Sequence, residues 1–234
     1  MTLLTEPTRI VLAKDYVEVD PSFANVSLLL HGNGASGSTT ITDSSPSPKT
    51  VTAVGNAQIS TAQSKFGGAS IVFDGTGDYA TVPSSSDWTL GSSGDFTIEC
   101  WVYPNGSQAA NAGIVSTFTS WSVYQNRWTI AINSLTVRWF DTSGNIAISG
   151  SISAAQWSHL AVSRSGSTIY LFINGASAGT QTVNQIYTTQ ERLIVGSLPG
   201  QNDFNGYIDD LRITKGISRY NATFTPPTAP FPDF

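Results

Sequence analysis

The chain has 234 residues, of which 11 are Lys or Arg and 16 are Asp or Glu, for a formal net charge of −5 at pH 7; no basic run or patch offers the electrostatic footprint that nucleic acid requires. Only four Glu, four Lys and one Met are present, while Ser and Thr make up about a quarter of the chain, which excludes a helical bundle or coiled coil and favours an all-β body. A single cysteine, Cys100, excludes an intramolecular disulfide, two histidines leave no zinc cluster, and no apolar run is long enough for a membrane-spanning helix.

The first 25 residues form an anchoring arm. It alternates through Ile10, Val11, Leu12, Tyr16 and Val17 before Asp20-Pro21. An isolated strand of this kind is stable only when paired, so these five residues are expected to hold the protein to a neighbour. Met1 to Asp20 contains no apolar stretch of signal-peptide length, so a secretory leader is not expected. Residues 26–225 then read as short β-strands between turn signals. Ser27-Leu-Leu-Leu-His31 is a continuous apolar run, consistent with a strand buried on both faces. Ile71-Val-Phe73 and Tyr79-Ala-Thr-Val82 flank a Gly-rich and Asp-rich loop at 74–78, the composition of a tight turn with positive φ.

Phe96-Thr-Ile-Glu-Cys-Trp-Val-Tyr103 alternates cleanly and places Glu99, Trp101 and Tyr103 on one face. Further strands are expected at 113–118, 128–132, 135–140 and 146–149. The clearest hairpin joins 159–164 to 168–173 and closes on Asn174-Gly175. The last strands are 193–195 and 204–213, and residues 226–234 carry Pro226, Pro227, Pro230 and Pro232, which force an extended tail lying on a surface. The expected fold is all-β, a two-sheet antiparallel jelly-roll sandwich with extended terminal arms.

One ordered series of motifs carries a family resemblance: Leu28-Leu-Leu-His31, Asp43-Ser-Ser45, Phe66-Gly-Gly-Ala-Ser70, Phe73-Asp-Gly75, Phe96 to Pro104, Trp157-Ser-His-Leu-Ala-Val162, Tyr170 to Gly175 and Gly206-Tyr-Ile-Asp-Asp-Leu-Arg-Ile213. In this order and spacing the chain resembles the laminin-G-like branch of the concanavalin A-like lectin/glucanase superfamily. Its ending, Thr214-Lys-Gly-Ile-Ser-Arg-Tyr220 with Phe224-Thr-Pro-Pro227, resembles the variant found in tailed-phage virion proteins. The resemblance implies a jelly roll and points to a structural Ca²⁺ held by Asp43 with Asp209 and Asp210. Asp74 to Asp78 is a second, weaker loop for such an ion. On a regular strand Asp209 and Asp210 face opposite ways, so one of them alone can turn inward.

Glucanases share this fold, and glycoside hydrolysis needs two carboxylates facing one another across a bond. The four glutamates, Glu6, Glu18, Glu99 and Glu191, form no acid-x-acid-x-acid strand. Neither His31 nor His159 sits in a nucleophile motif, so the chain reads as no enzyme. For sugar binding, the loop holding Trp121, Tyr124, Asn126 and Trp128 combines rings for stacking with an amide for hydroxyls, while Trp101 and Trp157 are expected in the core. The expected function is a structural protein of a tailed-phage virion, a capsid decoration or cement protein displaying a lectin-like domain. The alternative is a tail or fibre adhesin binding host surface glycans. The partners are then other virion proteins, further copies of the chain and a host glycan, with no nucleic acid and no membrane.

Overall fold

A computed structural model describes residues 19–90, 94–117, 127–140, 146–183, 187 and 191–234. Its strands in chain order are β1 (Val26–Leu30), β2 (Thr40–Ile41), β3 (Val51–Val54), β4 (Gln58–Ser60), β5 (Ser70–Asp74), β6 (Tyr79–Val82), β7 (Phe96–Pro104), β8 (Gln108–Ser116) and β9 (Thr129–Ser134). There follow β10 (Thr136–Phe140), β11 (Ile146–Ser151), β12 (Ser158–Ser165), β13 (Thr168–Ile173), β14 (Ala176–Thr182), β15 (Leu193–Val195), β16 (Asn202–Asp203) and β17 (Asn205–Lys215). Helix among the described residues is limited to two single 3₁₀ turns, Phe23–Asn25 and Ser86–Trp88.

Two sheets pack face to face. The first runs β14-β13-β12-β7-β17-β5-β4, with β1 also pairing β17; the second runs β11-β10-β9-β8-β15-β6-β3-β2, with β16 beside β8. All pairs are antiparallel except β16 with β8. Leu28, Ile71, Ile98 and Leu160 from the first sheet meet Val82, Ile114, Ile130 and Trp139 from the second in one buried cluster. The alternation of β7 explains this division. Ile98, Cys100 and Val102 point to the core, leaving Glu99, Trp101 and Tyr103 on the outer face. The jelly-roll sandwich expected from the sequence is the observed architecture.

Local chemistry sets the registers. Between β13 and β14, Asn174 and Gly175 adopt φ of +49° and +75°, the geometry of a type I′ turn, and Asn174 Oδ1 accepts the His159 N–H at 2.8 Å. β1 is buried on both faces, as its apolar run implies. Leu28 and Leu30 enter the main core, while Val26 and Leu29 are covered from outside by Phe231 of the proline-rich tail.

Three differences from the sequence reading have physical causes. The short strands β2 to β4 and β14 escape notice; β14 (Ala-Ser-Ala-Gly-Thr-Gln-Thr) lies at a sheet edge and carries no large apolar side chain to mark its inner face. The expected strand at 204–213 is β17, and an unforeseen two-residue strand, β16, precedes it across the buried Phe204. Finally, β17 is not regular. Asp209 pairs Trp101 and Arg212 pairs Glu99, so β17 holds one more residue than β7 over this stretch, and Asp210 takes φ +49°. This is a β-bulge.

Candidate functional site

The outer face of the first sheet concentrates the polar chemistry of the described residues. Glu99, central on β7 and 0% exposed, accepts Arg212 Nε and Nη2 on Oε1 at 3.0 and 2.8 Å, and the Tyr220 hydroxyl on Oε2 at 2.8 Å. His159 Nε2 lies 3.4 Å from the same Oε2, an ion-pair distance rather than a directed hydrogen bond. Arg212 Nη1 reaches Asp20 Oδ2 at 3.1 Å, and Arg219 grips both Asp20 oxygens at 3.1 and 2.6 Å. Two carboxylates thus balance two guanidiniums under a lid formed by residues 217–234.

Burial by itself would raise the Glu99 carboxyl, but the Arg212 charge, aided by His159, overrides it and holds the group down at about 2. Burial would likewise raise Asp20, and the bonds from Arg219 hold it below the ordinary carboxylate range. The Tyr220 phenol is pushed up by burial and by the neighbouring Glu99 charge. The lid is aromatic: Phe224 stacks on Tyr220 with centroids 3.6 Å apart, and Phe231 lies 3.7 Å from the Arg212 guanidinium. A cavity of about 270 Å³ remains between Arg212, Arg219 and the tail prolines. Glu99 is fully buried with both oxygens bonded, and through Tyr220 its strand ties the tail to the sheet.

The bulge in β17 corrects the expected placement of the acidic pair. Asp209 and Asp210 both reach the outer face. Asp209 Oδ2 accepts the N–H groups of Lys65 and Phe66 at 2.7 and 3.0 Å; Asp210 takes His31 Nδ1 at 2.5 Å and the Phe231 N–H at 2.8 Å. Asp43 accepts the N–H groups of Leu29, Ser45 and Lys49 at 2.8–3.0 Å. Protein donors take every one of these oxygens except Asp209 Oδ1, and among the described residues no group of three or more His, Cys, Asp or Glu could hold a metal ion. Asp43, Asp209 and Asp210 therefore do not fit a calcium ion as placed. Asp209 Oδ1 is buried without a hydrogen-bond partner, and burial raises that carboxyl to about 6 despite the two N–H bonds. In the 74–78 loop, Asp78 turns inward to accept the N–H groups of Asp74 and Thr76, and burial lifts it to about 6. That carboxylate closes its own turn.

Of the residues expected to bind sugar, Trp121, Tyr124 and Asn126 lie outside the described residues, as do Ile10, Val11, Leu12, Tyr16 and Val17 of the arm. Trp128 is a correction: it is 0% exposed, stacks on Trp139 and donates its indole N–H to the Trp88 carbonyl at 3.1 Å. The core claims it because two large inner-facing rings fill the gap between sheets. Trp101 is buried, but on the outer face, beneath the Lys65 ammonium 3.9 Å from its ring. Trp157, expected in the core, is instead half-buried at the surface.

Trp157 completes a row that single-strand alternation does not reveal. It follows Tyr103 on β7 and Tyr207 on β17 across neighbouring strands, with ring centroids 5.6 and 5.8 Å apart and planes tilted by 57° and 81°. Val72 and Gln58 extend the row, and all five are half-buried. One step further along the same face runs a polar border: Asn105 Nδ2 donates to Asn205 Oδ1 at 2.8 Å, and Asn56 Nδ2 to Asp74 Oδ2 at 2.9 Å, all four residues being exposed. The signal in the sequence was the shared face of Glu99, Trp101 and Tyr103; Tyr207 joins it by the pairing of β17 with β7, and Trp157 by its place just before β12.

A family model described as the concanavalin A-like lectin/glucanases superfamily matches residues 74–217. Among curated proteins no sequence match is found. Similar solved structures include domain 4 of AbnA, a GH43 extracellular arabinanase from Geobacillus stearothermophilus, in complex with arabinotriose, at TM-score 0.60 and 18% identity over 83% of this chain and 94% of that one. The binding domain of Paraclostridial Mosquitocidal Protein 1 aligns at TM-score 0.61 and 19% identity, over 85% of this chain and 50% of its own. A botulinum neurotoxin type C structure, whose cell entry depends on two ganglioside molecules, aligns at TM-score 0.62 and 16% identity, over 85% of this chain and 49% of its own. The chain thus spans about half of each toxin chain, and at these identities the likeness is one of fold.

Proposed function

The chain belongs to the concanavalin A-like lectin/glucanase superfamily, and from that premise we propose that it is a non-catalytic carbohydrate-recognition domain displayed on the exterior of a tailed-phage virion. The observation that carries this reading is the meeting of the two ends of the body. The Asp20 N–H donates to the Phe234 carbonyl at 3.1 Å, so both ends of the described body lie at one edge. Sheet surface away from that edge stays open for a ligand. A non-catalytic role is supported by Glu99, whose carboxylate is neutralised by Arg212 and roofed by Tyr220. Carbohydrate as the ligand class is supported by family membership, by the arabinotriose complex of one similar structure and by the ganglioside-dependent cell entry of the toxin that another represents. The virion setting rests on the resemblance of the 214–227 ending.

A second reading, a capsid decoration or cement protein, is favoured by one feature. Val19 and Phe234, 58% and 52% exposed, are the large exposed hydrophobic residues of the described chain and lie together at the junction of the ends, an apolar contact suited to other virion proteins or further copies. Immunogold labelling of intact particles, with antibody against residues 26–225, separates the two. Tail label with retention on a glycan array supports the adhesin, and head label supports decoration. Absence of label overturns the virion setting, and absence of any glycan signal overturns the carbohydrate assignment.

A further inference from the structure

We propose that the row Trp157–Tyr103–Tyr207, bordered by Asn105, Asn205 and Asp74, is the binding site of a single neutral oligosaccharide chain. The inference rests on the carbohydrate reading above and gives it a place and a ligand class.

The chemistry of a pyranose asks for two kinds of surface at once. Its C–H faces are apolar and pack against aromatic rings, while its hydroxyls lie around the rim and need donors and acceptors. The outer face of the first sheet supplies both side by side. Strands sit about 4.8 Å apart and alternate residues share a face, so Trp157, which immediately precedes β12, lines up with Tyr103 on β7 and Tyr207 on β17 as successive rings 5.6 and 5.8 Å apart. Each remains partly exposed, whereas Trp101, two residues back on β7, is closed by Lys65 and Phe66. Along the other side of the row, exposed amides of Asn105 and Asn205 provide donors and acceptors. Large apolar rings left at a surface beside convergent polar groups are the signature of a recognition site rather than of a core.

Two further observations narrow the ligand. The rings are tilted by 57° and 81° to one another, so they form steps and not a plane. A stepped surface suits a single twisted chain and is unsuited to the flat face of a crystalline polysaccharide. The border carries the exposed Asp74 carboxylate, and the ordinary range for that group is lowered further by its bonds from Asp78, Asn56 and Thr76, while the chain as a whole has a net charge of −5. An anionic glycan meets repulsion here, a neutral one does not.

The test uses the full chain. A panel of cellotetraose, chitotetraose, maltotetraose, lacto-N-tetraose and a sialylated lacto-N-tetraose is screened by calorimetry, and the tightest probe is then titrated against Trp157→Ala, Tyr207→Ala, Asn205→Ala and Trp157→Phe. Each alanine variant at a ring is expected to weaken binding about tenfold or more, Asn205→Ala severalfold, and Trp157→Phe to retain most of it. The indole N–H resonance of Trp157 should shift on titration, which a merely structural ring would not do. Because Asn205 is exposed, its variant keeps the test sound if an aromatic variant fails to fold. A probe that binds unchanged in all the alanine variants overturns this site and leaves carbohydrate recognition standing. Tighter binding of the sialylated probe than of its neutral parent overturns the neutral assignment. If no probe binds, the carbohydrate reading falls and takes the site with it.

Discussion

Replacing Glu99 by Gln keeps the shape of the side chain and removes the charge against which Arg212 and His159 are set. In the folded protein Arg212 is 4% exposed and spends two N–H groups on Glu99 Oε1 and one on Asp20, so the variant leaves the buried guanidinium with Asp20 as its remaining carboxylate and a neutral amide in place of Glu99. Breaking one partner out of a buried ion pair costs about 3–5 kcal/mol, and for a chain of this length that lowers Tm by about 10 °C. The titration of Glu99 gives a second, independent measure. Its folded value of about 2 lies below the ordinary 4.5, so its contribution is present above pH 4.5 and is lost as pH falls towards 2; integrated, the contribution is about 3 kcal/mol. Urea unfolding followed by tryptophan fluorescence at pH 7 and at pH 3 checks both numbers, with Glu99→Gln expected to be destabilised at neutral pH and to lose part of the acid sensitivity. A Glu99→Leu/Arg212→Leu double variant should recover much of the loss, because Asp20 and Arg219 still pair with each other. A single variant within about 1 kcal/mol of the parent, or a double variant no better than the sum of the singles, refutes the reasoning.

Three other outcomes are expected. Asp209 sits at about 6 against an ordinary 3.8, so the folded state holds its proton more tightly and stability should fall as pH rises from about 4 to 6; Asp209→Asn should flatten that slope, and an unchanged profile in Tm against pH sinks the idea. Trp128→Ala removes a fully buried indole stacked on Trp139 and should cost about 3–5 kcal/mol in urea unfolding, whereas a cost below about 1 kcal/mol would return Trp128 to the surface. Because Asp43, Asp209 and Asp210 bond to protein donors, thermal melts with and without EDTA should superimpose; a fall of several degrees with chelator would restore a bound metal.

The sandwich was legible because strand alternation is a local property: the inner face of β7 and the turn at Asn174-Gly175 can both be read from a few adjacent residues. The bulge at Asp209 and Asp210 was not, since one inserted residue leaves the composition unchanged and shows itself only against a paired strand. Glu99 illustrates the same limit. Its neighbours Trp101 and Tyr103 were assigned to one shared face with it, but what lies over that face is set by Tyr220 and Phe231, more than a hundred residues away. Trp157 and Trp128 exchanged expected roles for this reason, the former left at the surface and the latter taken into the core by Trp139. The aromatic row is a property of three strands together, so no window along the chain contains it.

The hydrogen bond from Asp20 to Phe234 has a consequence for how this body can be handled. With its ends in contact, the described body is close to a closed ring of chain. Residues 19–234 could be spliced into an exposed loop of another protein with little strain on either, and a short linker from Phe234 to Val19 would allow the chain to be opened instead at the exposed Gly166-Ser167 turn between β12 and β13. Such a circular permutant keeps every strand beside its present neighbours, and moves the new ends to the far end of that hairpin.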